Sequence, residues 1–186
     1  MESPEVPSPA AAAAALADAE SGRDRLAGQV VVPPLFLPSL GAAIAVQIAT
    51  AAIGVAVMEL WAIWLLIAGV AAFVAVSAFQ LAAFRRLNGI WLGGMVSKVF
   101  GGTATQATLG YCAALAAALW AAFSEVWWLV PVFAVAGGTA YALSGQAWLR
   151  AYRAHPAAHS RGESALWWWI VGSASVAGLV LLLLMR

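Results

Sequence analysis

The chain has 186 residues, 64% of them hydrophobic and 9% charged, with a formal net charge of +1. A soluble domain carries roughly a quarter charged residues, so this composition argues against a water-soluble fold and for a chain whose main solvent is lipid. Near-neutrality argues against a basic nucleic-acid-binding surface, and one cysteine, Cys112, rules out an intrachain disulfide and a multi-cysteine metal centre.

Residues 1–37 differ in kind from the rest. They begin MESPEVPSPAAAAAALADAE, acidic at Glu2 and Glu5 and broken by prolines. A secretory signal needs a basic start followed by an apolar core, and neither is here. We read 1–37 as a disordered cytoplasmic tail, with room for a short helix over 10–20. The bundle itself is assigned to 38–186.

A helix needs about 20 apolar residues to cross the hydrocarbon core. Five runs meet that length: 38–58, 60–84, 105–123, 126–149 and 166–185. None holds Asp, Glu, Lys or Arg in its interior. Pro38 suits a first turn, where the missing N–H costs nothing. Pro131, taken as one turn into the fourth run, is expected to kink it. The predicted fold is therefore all-α: a polytopic integral membrane protein with a five-helix transmembrane bundle and a flexible N-terminal tail.

Basic residues collect on the cytoplasmic side of short loops. Arg23 and Arg25 precede the first run; Arg85, Arg86 and Lys98 separate the second from the third; Arg150, Arg153 and Arg161 separate the fourth from the fifth. The other two loops carry only Glu59 and Glu125. This predicts a multi-pass protein of the cytoplasmic membrane, N-terminus inside and C-terminus outside. The tryptophans agree. Trp61, Trp64, Trp120, Trp127 and Trp128 fall at the outer ends, and Trp91, Trp148, Trp167, Trp168 and Trp169 at the inner ends or inner loop. An indole favours the headgroup level, where its ring is apolar and its N–H stays hydrated.

Between the second and third runs lies RRLNGIWLGGMVSKVFGGTATQ. If 90–100 is helical, Leu92, Val96, Val99 and Phe100 share a face, which reads as a helix lying in the inner interface. A re-entrant loop and a plain connector are the alternatives. The motifs MELWAIW and SEVWWLV occupy both outer turns, and Gln80 and Gln146 each follow the glutamate of their turn by 21 residues. A parallel duplication of one helical hairpin would produce that spacing, as would shared topology alone.

Chemistry-bearing groups are few. No ionisable side chain lies inside a run, where proton relays and ion-coupled transporters usually need one. No nucleotide-binding glycine motif or nucleophile–base pair stands out. The polar residues near the midplane are Gln47, Thr50, Thr139, Ser173 and Ser175. They are candidates for a polar lining or, more simply, for interhelical hydrogen bonds; Gln47 is the costliest to leave facing lipid and should turn inward to a partner. Small residues recur at four-residue spacing in Gly41, Ala45 and Ala49 and in Gly138 and Ala142, a pattern that lets helix backbones approach. His155, His159 and Glu163 are also spaced by four, but Gly162 and Ser160 weaken a helix there, and we assign no metal site. Arg85, Arg86, Lys98, Arg150, Arg153 and Arg161 are candidate contacts to anionic lipid headgroups.

These readings lead to a non-catalytic integral membrane subunit or assembly partner of a larger membrane complex. Its expected partners are membrane lipids and other membrane subunits or further copies of itself, with no nucleic acid, cofactor or enzymatic activity. The alternative is a small transporter or pore component for a neutral or lipid-like solute.

Overall fold

The structure is a computed structural model that describes residues 8–29, 31–88 and 104–154. Among them it is entirely helical: α1 (Pro9–Gly28), α2 (Phe36–Val57), α3 (Leu60–Asn88), α4 (Ala104–Phe123) and α5 (Leu129–Ala154). Among the described residues, three segments are long and apolar enough to cross a membrane: α2, α3 and Gln106–Phe123 of α4. At 26 residues α5 is also long enough, but its second half is more polar, with Ser144, Gln146, Arg150 and Arg153. The interfacial segment 90–100 and the fifth run 166–185 lie outside the described residues.

Two tight turns make two antiparallel hairpins. Helix α2 stops at Met58, which takes a left-handed conformation (φ 57°) and donates its N–H to the Gly54 carbonyl. Glu59 then opens α3 by accepting the N–H groups of Ala62 and Ile63. Helix α4 ends on a left-handed Glu125 (φ 62°), with Glu125 N–H bonded to the Ala122 carbonyl and Val126 N–H to the Ala121 carbonyl. Such paired bonds satisfy carbonyls that the last helical turn leaves orphaned. Because α5 starts at Leu129, Pro131 stands within its first turn, where a missing N–H costs nothing. The kink expected there from the sequence is therefore not required.

The N-terminal helix is longer than the short segment expected over 10–20, reaching Gly28. Alanine carries no side-chain entropy cost in a helix, and its run nucleates the element. Ser8 caps it by accepting the Ala11 N–H at 3.2 Å. Where α1 meets the bundle it touches α5.

Helix α2 is the hub: it packs on α3, α4 and α5, and 39% of its apolar span is buried against 11% for α3. Its residues Ile44, Ile48 and Ala52 meet Ala118, Ala121 and Ala122 of α4 and Val130 and Ala134 of α5. This core is mostly alanine, so its helices can lie close together. The α2–α5 crossing shows how close. A Cβ on Gly41 would lie 2.6 Å from the Gly138 carbonyl oxygen, and a Cβ on Gly138 would run into the Gly41 carbonyl and lie 3.0 Å from Ala45 Cβ. The two small-residue series thus face each other across one seam. Next to it, a Cβ on Gly137 would lie 2.6 Å from Ala114 Cβ of α4.

The contacts of α2 with α5 and with α3 run antiparallel: Leu37 meets Gly145 on α5, and Gly54 meets Ala62 and Leu66 on α3. Glu59 and Glu125 therefore share one end of the bundle, while Arg85, Arg86, Arg150 and Arg153 share the other. The two hairpins do not repeat each other's packing. Helix α2 packs broadly on α5, whereas the counterpart pair, α3 and α4, makes at most slight contact. A two-fold axis between the hairpins would require both.

Candidate functional site

A carboxamide or hydroxyl inside an apolar bundle is costly unless it is hydrogen-bonded, so the polar side chains are the natural place to look for function. Gln47 is half-buried on α2, and its Oε1 accepts the Tyr111 hydroxyl of α4 at 2.9 Å. That is the interhelical partner the sequence demands of it. Thr50, one turn further on, turns back onto its own helix and donates to the Val46 carbonyl at 2.9 Å and the Gln47 carbonyl at 3.1 Å. Its side chain fills the space over Gly69 of α3, where any Cβ would collide with it. Thr139 is exposed on α5. The described members of the candidate lining therefore do not converge on one space. Ser173 and Ser175 lie outside the described residues.

Other polar groups, which sequence reasoning missed, line up at the basic end of the α2–α3 seam. Gln80 is buried, and its Nε2 donates to Ser39 Oγ at 2.6 Å. One turn later Phe84 meets Phe36, ring centroids 6.3 Å apart. One turn later again, Asn88 bonds the backbone of Val31. Positions 80, 84 and 88 follow the four-residue spacing that puts side chains on one helix face, and this spacing was the available signal. Their partners depend on the register of two helices, which the spacing alone does not reveal. Higher on the same helix, the Ser77 hydroxyl is buried without a hydrogen-bond partner.

At the acidic end Glu59 accepts the Trp61 indole N–H at 2.6 Å. Trp61, Trp64, Trp120, Trp127 and Trp128 are all exposed there. At the other end Arg85, Arg86, Arg150 and Arg153 are exposed. Lys98 and Arg161, their companions as candidate headgroup contacts, lie outside the described residues, as do His155, His159 and Glu163. Among the described residues no three metal-ligating side chains gather.

One hollow remains. It is shallow, about 490 Å3, and lies on the side of α3, lined by residues including Ile67, Val70, Ala71, Val74, Ala75 and Ala78. Its wall is apolar and comes from α3 alone. Among the described helices, α3 has only α2 as a packing neighbour. Val74 and Phe79 on its far side are 57% and 71% exposed, so this helix presents a long face that no other described helix covers. No family model, no curated protein and no solved structure matches the chain.

Proposed function

We propose that the chain is a non-catalytic integral membrane subunit that assembles with other membrane-embedded helices. In this reading the fourth and fifth runs also cross the bilayer, the N-terminus is cytoplasmic, and the C-terminus lies outside. The observation that carries it is the contrast between seam and surface. Carboxamides of α2 and α3 help to hold the bundle together, at Gln47–Tyr111 and Gln80–Ser39, while the long apolar flank of α3 is covered by no other described helix. A flank rich in alanine favours helix–helix contact in lipid, because association there depends on close packing rather than on the hydrophobic effect. A lipid-like solute is the second reading, favoured by the apolar hollow on that same flank.

Mild-detergent extraction of the tagged chain from its native membrane, followed by sizing and identification of co-migrating chains, tests the first reading. A defined larger complex is expected. Purification as a lone chain that moves a labelled lipid or neutral solute across liposome bilayers would instead establish the second.

A further inference from the structure

The last residue of α3 does something its position alone does not require. Asn88 Oδ1 accepts the Val31 N–H at 3.0 Å, and Asn88 Nδ2 donates to the Val31 carbonyl at 2.9 Å. Nδ2 also donates to the Phe84 carbonyl at 2.9 Å, one turn back on its own helix. Both faces of the carboxamide are thus engaged with main chain. Toward Val31 it offers the acceptor and donor that a neighbouring β-strand residue would offer. The residue it grips lies 57 positions earlier in the chain, separated from α2 by residues 32–35.

The surroundings make Val31 a fastening point. Pro33 and Pro34 follow it, and neither has an N–H to bond. Pro33 is buried, while the Val31 side chain is 52% exposed. Upstream, α1 ends at Gly28, three residues away. The α1 residues whose surroundings are described are nearly all exposed. Downstream the chain is already committed to the bundle through Phe36–Phe84 and Ser39–Gln80.

We propose that Asn88 is a latch that ties the N-terminal arm to the basic end of α3, and that the arm can be released there without unmaking the bundle. The latch reads one main-chain N–H and one carbonyl and ignores the side chain that carries them. It stands independently of whether the protein is a subunit or a carrier.

The test uses the full chain in detergent micelles or nanodiscs, with three readouts: hydrogen exchange at the Val31 amide, tryptic cleavage at Arg23 and Arg25, and thermal unfolding of the bundle. Losing both bonds in Asn88→Ala should speed Val31 exchange by about tenfold or more, given the modest net strength of each bond. Cleavage in the arm should rise with it, while the unfolding midpoint and the exchange of α2–α5 amides stay close to wild type. Val31→Ala should behave as wild type. Val31→Pro, which removes the N–H, should free the arm as Asn88→Ala does, and the double variant should be no worse than either single one. Asn88→Asp keeps the acceptor, loses the donor and should fall between. Unchanged arm cleavage and Val31 exchange in Asn88→Ala would overturn the proposal. So would fully additive effects in the double variant, or faster exchange spread evenly over the bundle.

Discussion

At the scale of single residues the molecule is held by what is missing from side chains rather than by what they add. Gly41 and Gly138 bring two backbones to a distance that no Cβ fits. Lipid tails are as apolar as the helix surface, so close approach, dispersion and a few interhelical hydrogen bonds must supply the stability. Glycines that are not in a seam should behave differently, and Gly110 is the internal control: a Cβ there would sit at an ordinary 3.7 Å from Ala140 Cβ. Gly138→Ala is expected to cost about 1–3 kcal/mol in reversible unfolding in mixed micelles, because backbone blocks the new methyl and backbone cannot step aside cheaply. Gly110→Ala should be neutral or slightly stabilising, since alanine is the better helix former by up to about 1 kcal/mol. Equal effects at the two sites would remove the seam from the account.

At the scale of elements, the existence of α2 to α5 was legible in the sequence and helix ends were not. The apolar runs 60–84 and 126–149 end at the first arginine, but α3 continues to Asn88 and α5 to Ala154. Arginine ends an apolar run without ending a helix: its charge reaches water while the backbone bonds continue. The start of α5 shifted for another reason. Val126 is apolar, but its N–H closes the turn after α4, which delays the helix to Leu129. Helix rotation was the hardest thing to read. Gly138 and Ala142 marked the face of α5 that meets α2, but Thr139 could be placed at a depth and not toward a neighbour. Gln47 was readable because a carboxamide in lipid must turn inward, whereas Gln80 and Asn88 depended on a register only the fold supplies. That register can be tested. With Cys112→Ser as background, the pair Ser39→Cys and Gln80→Cys should form a disulfide readily under mild oxidation in membranes. Ser39→Cys with Phe79→Cys should not, because Phe79 is turned outward and 71% exposed. Cross-linking of the second pair in preference to the first would mean that α2 and α3 meet on other faces.

At the scale of the whole molecule the account is one of segregation. The described acidic residues of the hairpin turns, Glu59 and Glu125, sit at one end with five tryptophans, and four arginines sit at the other. Between them α2 and α3 present apolar length without an ionisable group until Arg85. In the proposed reading a bilayer produces that arrangement: it excludes charge from the middle, draws indoles to its rims and keeps arginine on the cytoplasmic side. The measurement that bears most directly on this is cysteine labelling in intact cells, in the Cys112→Ser background, with a thiol reagent that cannot cross membranes. Cysteines at Glu59 and Glu125 should react at once, and cysteines at Arg86 and Arg153 only after the cells are permeabilised. Equal labelling at both ends in sealed cells, or labelling at Arg86 and Arg153 alone, would contradict a bundle that spans the bilayer with its arginines inside.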